Sequence, residues 1–111
     1  MKRLIIGNAF SLQMLDLKRV STLKVEPLSI DEVKRLIKDT DVVLSAIGHI
    51  DTANVVGKIL QSDKVYFDRA SISLDKDTSL IVAQLTGGRL PEGAKELPPG
   101  FKLVFVKVTL E

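Results

Sequence analysis

Apolar and polar residues along this chain follow two patterns: short continuous apolar runs, and apolar residues that recur at helical spacing. Leu4 to Gly7 and Val42 to Ile47 are short apolar runs almost free of polar groups, a pattern typical of buried strands. After the cap signal Ser29-Ile30-Asp31-Glu32, apolar residues recur at helical spacing until the sequence turns polar near Asp39, which predicts an amphipathic helix. Strands and helices therefore alternate, as they do in α/β proteins.

Other segments fit the same alternation. We predict a short helix from an Asn8 or Ser11 cap through Leu17, a strand from Ser21 to Leu28, and a helix that begins at an Asp51 or Thr52 cap. Val65 to Leu74 and Leu80 to Leu85 are predicted to pair as antiparallel strands across a polar turn. Phe101 to Leu110 closes the chain as a strand with apolar residues on both faces, which indicates a sheet centre or a subunit interface.

These elements predict one α/β domain over residues 1–111, with a mixed sheet of about five strands and flanking helices. A chain of 111 residues is long enough for a single core. Residues Thr86 to Gly100 contain three of the four prolines and four of the seven glycines, so we expect a long loop there. Long loops in compact domains are usually functional or disordered.

Composition narrows the chemistry. The chain has no cysteine and one histidine, which excludes disulfides, thiolate chemistry and cysteine zinc sites and argues against a histidine-based metal site. Gly7-Asn8-Ala9-Phe10 lacks the spacing of a P-loop or dinucleotide motif, so we expect no cofactor. The apolar stretch Leu4-Ile5-Ile6 is too short for a signal peptide, and no run reaches the roughly 20 apolar residues of a membrane span. We expect a cytoplasmic protein without a membrane partner.

Charge bears on the class of ligand. The formal net charge is +2, and basic pairs such as Lys18-Arg19 and Lys34-Arg35 lie among acidic residues. Proteins that bind long nucleic acids usually carry a basic stripe or an exposed aromatic platform, and neither is evident with one tyrosine and four phenylalanines. The sequence therefore favours a small anionic ligand over a long nucleic acid.

His49 is the first candidate for proton transfer. It follows Gly48 at the point where a predicted strand gives way to a helix, which is where α/β proteins tend to place their sites. Histidine is the side chain whose ordinary pKa lies closest to neutrality. A lone histidine that is merely hydrogen-bonded in a loop is the alternative interpretation.

Two further turns are candidate sites. The turns at Asn8 and His49 open predicted helices, whose backbone amides can bind an anion, although Asn8 and Ser11 could equally serve as caps. Arg89 follows Gly87-Gly88, and its planar guanidinium suits a phosphate. Glu92 lies three residues further on, close enough to orient Arg89 or accept a proton.

Three segments, taken together, resemble the viral ring nuclease family, the type III anti-CRISPR proteins of archaeal viruses and phages with bacterial relatives that accompany CRISPR loci. The resemblance rests on Gly7-Asn8-Ala9-Phe10-Ser11-Leu12-Gln13-Met14-Leu15, on Ser45-Ala46-Ile47-Gly48-His49 with Thr52-Ala53, and on Val82-Ala83-Gln84-Leu85 with Gly88-Arg89-Leu90-Pro91-Glu92-Gly93. It implies a small α/β homodimer that binds cyclic tetra-adenylate and degrades it without metal.

The resemblance also implies a set of site residues. His49 stands at the position of the family's catalytic histidine, and Arg89 and Glu92 match its catalytic loop. Asn8, Ser11, Arg69 and Gln84 match its ligand-binding positions. The relatives' Asn-Arg pair reads Asp68-Arg69 here, and a carboxylate beside a phosphate is unfavourable unless Asp68 points away or pairs with an arginine.

A mechanism follows from the resemblance and from the single histidine. The substrate's own 2′-hydroxyl would attack the phosphorus, so that the protein needs only to position the ring, stabilise charge and protonate the leaving 5′-oxygen with His49. The products would be linear di-adenylates with a 2′,3′-cyclic phosphate, and type III CRISPR signalling would stop. A nucleic-acid-binding module and a module that sequesters the ring remain alternatives, as do a viral and a cellular origin.

Overall fold

The computed structural model describes residues 2–19 and 22–111. It contains strands β1 (Arg3–Gly7), β2 (Leu23–Leu28), β3 (Val42–Ala46), β4 (Thr78–Thr86) and β5 (Lys102–Leu110), and helices α1 (Ile30–Asp39) and α2 (Ile50–Leu60). The predicted α/β fold with a mixed five-stranded sheet and flanking helices is confirmed. The proposed start of β2 at Ser21 lies outside the described residues.

The sheet has the strand order β2-β5-β4-β1-β3. β1 pairs in parallel with both β3 and β4, whereas β5 is antiparallel to β2 and β4. The strand β5 therefore lies inside the sheet, as its two apolar faces predicted. Because β1, β3 and β4 run in the same direction, their carboxyl ends meet at one edge of the sheet.

Both helices cover one face of the sheet. Val33 and Ile37 of α1 and Val56 of α2 pack against Ile6 of β1 and Phe105 of β5, and all five are buried. The start of α1 forms the predicted capping box, in which Ser29 Oγ accepts from the Glu32 N–H and Glu32 Oε1 accepts from the Ser29 N–H. The helices thus form one layer over the half of the core that Ile6 and Phe105 share.

Irregular segments cover the other face. Ile5, Leu80 and Val108 are buried there beneath Met14 and Leu74. The segments that carry these last two residues are joined by a hydrogen bond from the Leu74 N–H to the Met14 carbonyl at 2.8 Å. The cover leaves the outer part of this face open, where Val25 and Val104 are exposed.

The structure corrects the prediction that Val65 to Leu74 is a strand paired with β4. A single bridge joins Phe67 to Ile47, and the remaining residues of the segment form no strand. The alternation of Ile72 and Leu74 with serines is real, but these side chains pack onto the face of the sheet. The antiparallel partner of β4 is β5 instead.

Two helix boundaries also differ from the predictions. The expected helix through Leu17 is one short 3₁₀ turn over Leu12–Met14, with Ser11 as its cap. Helix α2 begins at Ile50 and its cap residue is His49, so the predicted cap at Asp51 or Thr52 is wrong. Both residues lie within the first turn of the helix, where an acidic side chain is favourable.

Candidate functional site

The polar turns predicted from the sequence follow strands that end at one edge of the sheet. β1 lies between β3 and β4, so Asn8 occupies the middle of this edge. Asn8 Oδ1 accepts a hydrogen bond from the Gly48 N–H at 3.3 Å. This bond fixes the end of β1 against the turn that carries His49. The carboxyl ends of parallel strands are where open α/β sheets bind their ligands.

The His49 side chain is not committed to capping its helix. His49 occupies the cap position of α2 with extended backbone, yet its imidazole makes no capping hydrogen bond and is exposed. The Ala53 N–H donates to the His49 carbonyl at 2.9 Å, so the amides of residues 50–52 precede the first bond of the helix. The imidazole thus stands beside a helix N-terminus, which attracts anions.

A cavity of about 460 Å³ lies between the start of α2 and the end of β4. Four of the residues singled out in the sequence line it: Asn8, His49, Gln84 and Arg89. Asp51 and Thr52 from the first turn of α2 line it as well. The fold therefore brings one imidazole, one guanidinium and two neutral amides from four separate segments into one recess.

Arg89 carries an uncompensated positive charge in this cavity. It is exposed and forms no ion pair with any of the described residues. Among the described residues that line the cavity, Asp51 is the one acid. An anion entering the recess would meet the guanidinium and the helix amides, and its affinity would depend on where the Asp51 carboxylate is held.

Ser11 lies in a neighbouring cavity of about 370 Å³, on the other side of Asn8. Asn8 lines both cavities, and the hydroxyl-bearing residues Ser71 and Ser73 line the second. Ser11 Oγ accepts a hydrogen bond from the Gln13 N–H at 3.3 Å, so its capping role is confirmed. Its role in ligand binding stays a prediction, as does that of every other site residue.

Arg69 lies beside the His49 turn and does not line either cavity. Its Nε donates to the Gly48 carbonyl at 3.4 Å, and its guanidinium lies 5.6 Å from the centre of the Phe67 ring. The neighbouring Asp68 is exposed and is held by a backbone bond from its N–H to the Ile47 carbonyl. No described arginine pairs with the Asp68 carboxylate.

Glu92 is exposed on the 86–100 loop and does not line the cavity that holds His49. The loop is tied to α2 at two points beyond it. The Gly93 N–H donates to Asp51 Oδ1 at 3.1 Å, and Lys58 Nζ donates to Glu96 Oε1 at 2.6 Å. The hydrogen bond and charge of Lys58 lower the pKa of the Glu96 carboxyl.

The two ends of the loop touch each other at Gly87. Gly87 has φ +110, and a Cβ added there would lie 2.9 Å from the Gly100 carbonyl oxygen and from Phe101 Cα. Both contacts are with backbone atoms, which cannot move aside as a flexible side chain can. A glycine is therefore required where the loop that carries Arg89 leaves β4.

Replacing Gly87 with alanine is expected to lower the free energy of unfolding by about 2–3 kcal/mol, because backbone strain is added to steric overlap. Gly93→Ala is the matched control, since Gly93 also has a positive φ of +78 but open space around it; strain alone should cost about 1 kcal/mol. Urea unfolding would measure both changes. Equal losses in the two variants would contradict the contact between the loop ends.

Sequence reasoning missed the contact between Asp51 and the loop. Asp51 was considered only as a helix cap, and its partner Gly93 lies 42 positions further along the chain. An acid in the first turn of a helix is common for its charge alone, so no local signal distinguishes this aspartate. Only the three-dimensional structure shows that the loop passes over the start of α2.

The described residues contain neither a cluster of metal-ligating side chains nor a helix of membrane-spanning length and hydropathy. No group of three or more histidine, cysteine, aspartate or glutamate side chains among them could hold a metal ion. None of their helices is long and apolar enough to cross a membrane.

The fold and the strand-end recess describe a small α/β protein with one candidate site. The chain belongs to the STIV B116-like family, whose model matches residues 4–98. A solved structure similar to it is B116 of Sulfolobus turreted icosahedral virus, with a TM-score of 0.73 and 18% sequence identity. The match covers 96% of this chain and 98% of B116, so the two share the whole fold. No curated protein sequence matches.

Proposed function

We propose that this protein is a metal-independent ring nuclease that cleaves cyclic tetra-adenylate and thereby switches off type III CRISPR signalling in a prokaryotic cytoplasm. The observation that carries the proposal is the cavity shared by His49 and Arg89, with Asn8 and Gln84 beside them. A proton donor and a cation within one recess, together with neutral hydrogen-bonding groups, suit a phosphodiester linked to nucleosides.

The chemistry needs no protein nucleophile. The ribose 2′-oxygen attacks the adjacent phosphorus, a new P–O2′ bond forms, and the P–O5′ bond breaks. His49 gives its proton to the departing 5′-oxygen, while Arg89 and the amides at the start of α2 stabilise the charge that develops on the phosphoryl oxygens. Each cut leaves a 2′,3′-cyclic phosphate and a 5′-hydroxyl.

Neutral side chains supply the rest of the proposed site. Asn8 lies between the two cavities and its amide oxygen is bound to Gly48, which leaves its NH₂ group as a donor for ribose or phosphate. On either side of Asn8, Gln84 offers a side-chain amide in one cavity and Ser11 a hydroxyl in the other.

Two charged residues complete the proposed set. Arg69 adds positive charge beside the His49 turn. Glu92 forms no ion pair with Arg89 in the ligand-free chain, so any orienting role would require the bound ring.

A second copy of the chain is part of the proposal. On the open face of the sheet Val25 and Val104 are 59% and 49% exposed, and Val104 lies directly opposite the cavity residue Gln84 in the pairing of β4 with β5. Apolar surface therefore borders the recess. A twofold dimer would present two copies of His49 to a fourfold ring, and two cuts would give linear di-adenylates.

The test is to incubate the protein with cyclic tetra-adenylate in the presence of a chelator and to identify the products. Linear di-adenylate ending in a 2′,3′-cyclic phosphate is the expected result. An intact ring that stays bound would indicate a sequestering protein and would overturn the enzymatic proposal. A ring that is neither bound nor cut would overturn the choice of ligand.

A further inference from the structure

The position of the 86–100 loop depends on few interactions. Within it, backbone hydrogen bonds join only near neighbours, from the Ala94 N–H to the Pro91 carbonyl and from the Phe101 N–H to the Pro98 carbonyl. Four of its glycines adopt positive φ, where other residues are strained. Residues 87–101, between the end of β4 and the start of β5, form no strand or helix. Besides the contact of its two ends at Gly87, the loop is therefore positioned by its contacts with α2.

One of those contacts joins the first turn of α2, next to His49, directly to the loop that carries Arg89. Asp51 lies two residues after His49, and Gly93 lies four residues after Arg89. The bond between Asp51 Oδ1 and the Gly93 N–H is 3.1 Å long, and Asp51 is half-buried beside the cavity. A hydrogen bond with an ionised acceptor is stronger than one between neutral groups.

The second contact is of a different kind. Lys58 lies two turns further along α2 and pairs with Glu96 of the loop, and the two side chains are 58% and 76% exposed. Exposed ion pairs contribute little and are screened by salt. Of the two ties, the bond to Asp51 is the one close to Arg89.

We propose that Asp51 is a positioning residue: its carboxylate holds the loop through Gly93 so that Arg89 faces His49 across the cavity. This inference rests on the proposed function for its effect on catalysis, but not for its effect on the loop. The same bond holds a negative charge against a backbone donor, which reduces its opposition to an anion in the recess. The role is distinct from that of an acid that only stabilises the start of a helix.

Two substitutions separate these roles. Asp51→Ala removes both the charge and the acceptor, whereas Asp51→Asn removes the charge and keeps an oxygen that can accept from Gly93. Lys58→Ala is the matched control, because it removes the ion pair with Glu96, the contact between loop and helix that lies farther from Arg89. The first measurement is the rate of amide hydrogen exchange at Gly93, which is monitored by NMR in the ligand-free full chain. The second is kcat and KM with cyclic tetra-adenylate.

We expect Asp51→Ala to speed exchange at Gly93 about tenfold or more and to lower kcat about tenfold to 100-fold, with a smaller change in KM. Asp51→Asn should restore both values to within about threefold of wild type. Lys58→Ala should leave exchange at Gly93 and kcat within about twofold, as expected for an exposed pair.

Three results would overturn the inference. Unchanged exchange at Gly93 in Asp51→Ala would mean that the carboxylate does not hold the loop. An Asp51→Asn variant as impaired as Asp51→Ala would assign the effect to charge at the helix start. A loss of kcat in Lys58→Ala equal to that in Asp51→Ala would remove the special role of Asp51. If wild-type protein does not cut the ring, the proposed function fails, while the exchange measurement still decides the loop contact.

Discussion

Replacing His49 with alanine is expected to slow cleavage of cyclic tetra-adenylate about 10²- to 10⁴-fold, the usual contribution of a general acid, while the ring still binds. The imidazole is exposed and caps no backbone amide of α2, so its removal should not disturb the helix. Single-turnover cleavage, with the dissociation constant measured separately, distinguishes a chemical effect from a loss of affinity.

A matched control comes from the same helix. Asn54 is exposed on α2 and does not line the cavity, so Asn54→Ala should cut the ring at nearly the wild-type rate. His49→Gln, which keeps polarity but cannot donate a proton as imidazolium does, should be as slow as His49→Ala. Near-normal single-turnover cleavage in His49→Ala would remove this residue as the acid, and loss of binding alone would make it a ligand contact.

The arrangement of strands and helices was predictable because apolar residues form continuous or alternating runs in the strands and recur at helical spacing in the helices. The strand Phe101 to Leu110 is an example: its two apolar faces indicated a sheet centre or a subunit interface, and β5 lies inside the sheet, between β2 and β4. The segment Val65 to Leu74 shows where such a pattern misleads. Alternation records that one side of a segment is buried, but not whether its backbone joins the sheet or crosses the face of it.

The candidate site was predictable as far as it lies at strand ends. Asn8 and His49 follow strands that the apolar runs identified, and Gln84 lies near the end of another. Parallel pairing brings these strand ends to one edge. The loop residues are different. The flanking glycines indicated a sharp turn at Arg89, but the approach of this loop to α2 is set by contacts such as Gly93 with Asp51, which no local pattern encodes.

Arg89 is expected to contribute about as much to the rate of cleavage as His49, but by stabilising negative charge rather than by donating a proton. Among the described residues that line the cavity, Arg89 is the one arginine or lysine, and it forms no ion pair with any described residue. Arg89→Ala is expected to lower the rate of cleavage about 10²- to 10³-fold, as the loss of one group that stabilises developing charge does. Because the ground-state phosphate is already anionic, affinity for the ring should also fall.

Arg89→Lys tests whether charge or geometry matters more. Lysine keeps the positive charge but cannot offer two parallel donors to phosphoryl oxygens, so binding should recover more fully than the rate of cleavage. Arg35→Ala is the control, since it removes one positive charge from an exposed position on α1, away from the cavity. The measurements are ring affinity and single-turnover cleavage at two salt concentrations, because salt weakens a merely long-range attraction. If Arg35→Ala and Arg89→Ala lose activity equally, Arg89 acts only through net charge, and the loop need not bring it to the phosphate at all.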